Sequence, residues 1–434
     1  MIEAADGTKQ NPFSRPYKRY VLSVLTLVLT VSYLDTSLIT VLLPPMQVDL
    51  SLSDAQLGLL TGLAFALFYA TLGIPIARWA DRGDRTLIAS LALTLWGLTV
   101  SASLLISNFW QLLLSRVAAG VGQSGCFPPI YSLVGDYFPE PRERTRALAI
   151  LMLAQPLSSI GYLLGSWLAA RYGWRLALFA VGLPGLLSGV LLKLTLREPR
   201  RQPGVVVPGG QVSLRVVLMT IWRQRSYRRL LVAMVLLFVV GQGLNPWYAA
   251  FLMRNHGMSA AEVGGSLTVI IGVGLCCGSM LGSYVTNRCF SGNERGQMRL
   301  SALTLALLFP CSVVFLVGSK WQALTVLLLI QISFGFFIGP TLALLQRLVS
   351  SDMRATAIAA LMLAANLLGM GVGPQLVGVL SDLARPALGV DSLRYSMLAI
   401  SALSSFAAWG FWRAGESVQH DLKAVRTHHS EGEP

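Results

Sequence analysis

The chain has 434 residues, of which 54% are hydrophobic and 12% charged, with a formal net charge of +14 and a mean hydropathy of +0.62. A soluble domain carries about 25% charged residues, so the composition excludes a soluble globular protein and points to a polytopic membrane protein. The positive charge does not point to nucleic acid, because the arginines sit in short loops between apolar segments, where they set orientation in the bilayer.

Residues 1–19 are polar and basic, and the apolar run after them is too long for the core of a signal peptide. The run is expected to be an uncleaved first span, with the amino terminus in the cytoplasm. Roughly 20 apolar residues cross a bilayer, and turn and charge clusters divide the chain into twelve such segments. The first six lie near 20–43, 55–79, 86–107, 109–134, 145–170 and 174–195. The second six lie near 229–253, 261–286, 299–318, 321–346, 355–380 and 393–412. This predicts an all-α membrane protein with a bundle over 20–196, a cytoplasmic linker over 197–228 and a second bundle over 229–412. The linker is rich in Arg, Pro and Gly, and its VSLRVVLMTIWRQ stretch suits an amphipathic helix on the membrane surface. The tail, 413–434, is polar, is placed in the cytoplasm and is expected to be disordered.

The basic residues support this topology. With both termini inside, 27 of the 34 Lys and Arg face the cytoplasm, six lie outside (Arg171, Arg175, Arg254, Lys320, Arg385, Arg394) and Arg116 lies within the fourth segment. The halves also repeat. ALAILMLA at 147–154 matches AIAALMLA at 357–364, and the same offset of 210 residues pairs Arg144 with Arg354 and Gly161 with Gly371. Two six-span repeats are a transporter plan, with the solute held between them near the midplane.

Asp35 is the one acidic residue deep within these twelve segments; Glu262 stands at the very start of the eighth. A charge at the centre of a membrane helix costs on the order of 3 kcal/mol to insert, so such an acid normally faces a polar cavity or carries a proton or cation. Two readings stand: a coupling site whose protonation helps the halves rock, or a permanently paired structural acid. In the seventh segment, GQGLNPWYAAF groups Gln242, Asn245, Trp247 and Tyr248 around Pro246, which breaks the backbone ladder, as in helices that line transport cavities. Trp247 and Tyr248 would equally suit an interfacial belt. Tyr69, Gln155, Asn366 and Gln375 are further polar groups in apolar segments, suited to bonding between helices or to solute contact. The glycines Gly369, Gly371 and Gly373, ahead of Pro374, allow close helix approach and bending.

Other chemistries find little support. The five cysteines (Cys126, Cys276, Cys277, Cys289, Cys311) lack metal-ligand spacing and suit apolar packing. The four histidines (His256, His420, His428, His429) lie in an outer loop and the tail, without the clustered acids that a membrane enzyme needs. No phosphate-cradling G-x-x-x-x-G-K-[ST] pattern points to ATP. Neither a cofactor nor a metal is expected.

With these residues in view, the chain resembles the major facilitator superfamily. GIPIARWADRGDR after the second segment is similar to the family's conserved loop through Asp81, Arg82 and Arg85, and RVAAGVGQSG is similar to its Arg-x-x-x-Gly pattern through Arg116, Gly120 and Gly122. YLDTSLITVLLPPMQVDLSLSDAQLGLLTGLAFALFYATLGIPIARWADR, CFPPIYSLVGDYFP and NLLGMGVGPQLVGVLSD resemble the spinster-like branch, bacterial members included.

The resemblance implies a carrier of amphipathic or anionic organic solutes, proton-linked or facilitated, working by alternating access. It also implies that segments one and four are neighbours, which brings Arg116 toward Asp35 to hold it deprotonated or to serve as a packing motif. Asp81, Arg82 and Arg85 become a cytoplasmic gate, with plain orientation by positive charge as the duller reading. Thr36 and Gln123 depart from the branch, where Arg and Glu are common; Gln123 cannot titrate, and lies seven residues past Arg116 on the same face. The expectation is therefore a multi-pass carrier and monomer of a bacterial inner membrane, since Arg greatly outnumbers Lys. Its partners would be a small-molecule solute, protons and lipid. The alternatives are an uncoupled facilitator or a transporter-like sensor.

Overall fold

The computed structural model describes residues 13–199, 214–290, 292–316, 318–349 and 353–430, and among them there is helix and no strand. The first half holds α1 (Arg15–Leu50), α2 (Asp54–Thr61), α3 (Leu63–Arg82), α4 (Arg85–Ser101), α5 (Phe109–Ser124), α6 (Phe127–Tyr137), α7 (Pro141–Met152), α8 (Ala154–Leu157) and α9 (Ile160–Thr195). A short helix, α10 (Leu214–Arg223), falls in the linker. The second half begins with α11 (Arg225–Leu244), α12 (Tyr248–His256), α13 (Ala260–Leu267), α14 (Gly274–Cys289), α15 (Glu294–Ala306) and α16 (Leu308–Cys311). It ends with α17 (Lys320–Arg347), α18 (Arg354–Asn366), α19 (Gly373–Leu388), α20 (Ser392–Ser401) and α21 (Leu403–Ser430).

Among the described residues, nine stretches are long and apolar enough to cross a membrane. Two of them, Arg142–Thr195 and Ala360–Leu422, run to 54 and 63 residues, more than twice what a bilayer needs. Each long stretch leaves helical geometry at a glycine: Gly173 has φ 83° and Gly389 has φ 57°, a region that side chains other than glycine rarely adopt. The fourth expected segment is broken rather than continuous. It stops at Ser124 and restarts at Phe127, because Pro128 and Pro129 have no N–H to continue the ladder. The seventh breaks at Pro246, between α11 and α12.

Local caps fix the entries. Ser14 accepts from Tyr17 N at the start of α1, with Pro16 in the first turn. Ser53 and Gln56 form a reciprocal capping box on α2. Inside α1, Thr26, Thr30, Ser32 and Thr40 return their hydroxyls to carbonyls one turn back, which lowers the cost of placing them in an apolar helix.

The halves meet along two glycine-rich seams. A Cβ at Gly62 would stand 2.4 Å from Gly371 O, and one at Gly58 2.6 Å from Pro374 O, so α2 lies backbone to backbone on the α18–α19 region. In the second seam a Cβ at Gly272 would stand 2.4 Å from Ser159 Oγ. Gly62 and Gly272 are separated by the same 210 residues that relate the sequence repeats. Helix in the second half loosens to π turns at both seams, over Thr268–Val273 and Leu367–Val372.

The tail is not disordered as expected: α21 continues to Ser430. It is held by α11, where Asp421 accepts from Ser226 N at 2.7 Å and Ser417 bonds Ser226 and Arg229. Asp421 thereby satisfies one orphan N–H at the start of α11, a reward invisible in the polar composition of the tail.

Candidate functional site

Asp35 lies midway along α1 and is 2% exposed. Arg116, on α5, is 3% exposed and reaches it with Nη1 at 3.2 Å from Oδ2 and 3.5 Å from Oδ1. Gln123, two turns further along α5, donates from Nε2 to Ser32 O at 3.2 Å. Thus two side chains on one face of α5 grip α1 at positions three residues apart. Arg116 Nε and Nη2 are buried with no hydrogen-bond partner among the described residues. A buried guanidinium that uses one of its nitrogens is costly unless something else meets the remaining edge.

A group of aromatic rings joins α1, α6 and α3. Tyr33, two residues before Asp35, packs on Phe127 at 5.1 Å between ring centroids, Phe127 meets Tyr69 at 6.2 Å, and Tyr69 stacks on Phe65 at 5.5 Å. Of these the sequence reading named Tyr69 alone. Tyr33 and Phe127 were concealed because aromatic residues in an apolar helix carry no signal that separates a cavity wall from ordinary packing.

The second-half residues divide. Asn245 accepts from Tyr162 OH at 3.3 Å, a bond between the halves, while Gln242 and Asn366 are half-buried. Trp247 is fully buried and spends its one donor on Pro374 O at 3.2 Å, and Tyr248 is 1% exposed. Both sit inside the packing of α12 and offer a solute no surface in this conformation. Of the other polar residues, Gln375 is half-buried and Gln155 exposed.

At the basic end, Asp81 and Arg82 close α3, but their side chains lie outside the described ones. Arg85 is fully buried. It donates to Glu198 at 2.6 Å through Nη2 and 3.1 Å through Nε, to Ser132 at 2.7 Å and to Asp136. Ser132 and Asp136 belong to its own half, and Glu198 stands at the start of the linker.

The opposite end holds a polar cluster that the sequence reading did not foresee. Asp54 accepts from Arg254 Nη1 at 3.0 Å and Nη2 at 2.8 Å, from Ser381 Oγ at 2.7 Å and from Gln47 Nε2 at 2.8 Å. Asp382 accepts from Asp54 N at 3.1 Å and Ala55 N at 2.7 Å, capping α2 from the other half. A signal was present: Arg254 is one of six basic residues on the sparsely charged side, and Asp54 is among the few acids there.

Long apolar helices in two repeated halves, the first of which buries an acid–guanidinium pair, define a polytopic carrier of small molecules. The chain belongs to the Major Facilitator Superfamily, whose sequence model matches residues 25–374. An "MFS-type efflux pump" of Mycolicibacterium smegmatis is 32% identical over 412 residues, 92% of this chain and 93% of the relative. The sphingosine-1-phosphate transporter SPNS2 of Danio rerio is 26% identical over 81% of this chain and 73% of its own length. Human protein spinster homolog 1 is 24% identical over 94% and 82%.

Among solved structures, a bacterial homolog of the human lysosomal transporter Spinster, inward-facing and unoccupied, superposes with a TM-score of 0.81. Its identity is 29%, covering 94% of this chain and 99% of that one. A D-xylose–proton symporter at 16% identity and TM-score 0.75 shares the fold. The chain is a spinster-like multi-pass membrane transporter, and its family and matched structures are transporters, not enzymes.

Proposed function

We propose that this protein is a secondary transporter that moves an amphipathic or anionic organic solute by alternating access, coupled to protons through Asp35. The observation that carries the reading is the buried Asp35–Arg116 pair with its half-satisfied guanidinium. Protonating Asp35 would release Arg116, whose free edge already lacks a partner, and so make it available to an anionic group on the solute. The aromatic strip of Tyr33, Phe127 and Tyr69 beside it suits an apolar body, and Gln123, Gln242, Asn245 and Asn366 supply amides. Trp247 and Tyr248 would join the cavity only when α12 repacks. The names of the relatives, an efflux pump and a sphingosine-1-phosphate transporter, favour an amphipathic cargo.

The reading includes twelve spans. The breaks at Gly173 and Gly389 would divide the two longest apolar stretches, and the broken α5–α6 pair would supply the span too short to count alone. It places the bundles at 20–196 and 229–412, with the linker at 197–228, both termini and the Arg-rich end in the cytoplasm, and the protein as a monomer in a bacterial inner membrane. Bonds between the halves from Asp54 to Arg254, Ser381 and Asp382 favour an inward-facing state closed on the outer side. Asp81, Arg82 and Arg85 would gate the cytoplasmic mouth, where Arg85 is paired with Asp136 and with Glu198 of the linker.

An uncoupled facilitator is the second reading, favoured by the amide of Gln123 in place of an acid. Reconstituted protein separates the two. Lysolipids, aromatic acids and short peptides would be offered to liposomes with and without an imposed pH gradient. Accumulation above equilibrium that follows the gradient supports coupling. Equilibration at a rate and extent indifferent to the gradient would leave a facilitator, and no movement of any amphipathic solute would contradict the cargo class.

A further inference from the structure

On the flank of the second half, α11 and α21 run antiparallel and leave an open groove of about 670 Å³. Its floor is where the helices touch: a Cβ at Gly410 would stand 2.9 Å from Ala233 Cβ, so no side chain fills the space there. The walls are apolar and outward-facing, with Val232 59%, Phe406 63% and Trp409 63% exposed. Three arginines close one end. Arg228 is exposed, Arg229 bonds Arg413 O and Ser417 Oγ, and Arg413 lies 5.6 Å over the Trp409 ring while pairing with Glu416 at 3.1 Å. Three positive charges against one carboxylate leave that end basic.

The polarity of the groove runs along the helices. On α11 the lining passes from Arg228 and Arg229 to Leu236, and on α21 from Arg413 back to Leu403, so both helices grade from charged to apolar in the same direction. Eight residues of helix rise about 12 Å, close to one leaflet of a hydrocarbon core about 30 Å thick. A protein partner would have no need of this one-way gradient, whereas a phospholipid has it: an anionic head, then apolar chains one leaflet deep.

We propose that this groove is a binding site for an anionic diacyl phospholipid, with its phosphate on Arg228 and Arg413 and an acyl chain along Val232 and Leu236. Basic pockets between spans on the cytoplasmic side recognise such head groups. The site is separate from the Asp35–Arg116 pair, and it rests on the orientation proposed above only for which leaflet supplies the lipid.

The test is native mass spectrometry of delipidated protein titrated with phosphatidylglycerol and, separately, phosphatidylcholine. One phosphatidylglycerol should bind at least tenfold more tightly than phosphatidylcholine. The double variant Arg228→Gln, Arg413→Gln should lose that preference, weakening phosphatidylglycerol roughly tenfold or more. Val232→Trp, an exposed position that fills the groove and leaves the charges intact, should weaken both lipids. Equal binding of the two lipids, unchanged by either variant, would overturn the proposal. So would displacement of phosphatidylglycerol by millimolar inorganic phosphate, which would mark a simple anion patch, or a dimer whose formation competes with lipid.

Discussion

Arg116 meets Asp35 through a single nitrogen, Nη1, at 3.2 Å, and its Nε and Nη2 are buried without a hydrogen-bond partner among the described residues. Few arrangements in a protein interior leave a guanidinium so incompletely used, and the physics makes it a poised group rather than a settled one. The attraction to Asp35 holds it in place, while the desolvated edge gains from any acceptor that arrives.

Breaking this pair from one side should be expensive. Arg116→Met leaves the Asp35 charge buried and unpaired, and should destabilise the protein by on the order of 3 kcal/mol. In an Asp35→Asn background the same change should cost much less, since no charge is stranded. Thermal unfolding of the four proteins in detergent reads the difference directly. Equal losses in both backgrounds would mean that Arg116 contributes by packing alone.

The Asp54–Arg254 cluster should act as a clasp between the halves at the sparsely charged end. Arg254→Ala removes both charge-assisted bonds to Asp54, and Asp382→Asn weakens the cap on α2. Either change should shift the population toward a state open at that end. Spin labels at Val48 and Val390, which are 82% and 76% exposed, would report it as a longer distance in a background without the five cysteines. An unchanged distance distribution would show that the glycine seams alone hold the closure.

Those seams make a prediction of their own. Gly62→Val would put a Cβ 2.4 Å from Gly371 O, a contact that backbone on both sides cannot relieve without separating. The variant should fold and insert yet populate the closed seam less, and transport should fall severalfold. Gly135→Ala is the control, because nothing lies within 4 Å of a Cβ there. It should transport like the parent protein.

The membrane class, the repeat and the break at Pro246 were legible because they rest on local pattern: apolar length, a 210-residue offset and a missing N–H. The contact between Arg116 and Asp35 was expected from the resemblance, and the structure brings the two together. The clasp was not legible, because Asp54 and Arg254 are 200 residues apart and each reads alone as a loop charge that orients the chain. The partners of Arg85 were hidden for a similar reason, since Glu198 and Asp136 stand 113 and 51 residues away. The tail failed differently: its polar composition conceals that Asp421 caps α11 and that Ser417 bonds the Arg229 side chain.

Coupling through Asp35 stands or falls with Asp35→Asn. Parent and variant would be reconstituted side by side, and two quantities followed for one transported solute: exchange at equal pH and accumulation under a pH gradient. Asparagine keeps the size and a hydrogen bond to Arg116 but carries no proton. If Asp35 carries the coupling proton, the variant retains exchange and loses gradient-driven accumulation. A variant that still accumulates solute as the parent does would contradict it and leave Asp35 as a structural partner of Arg116.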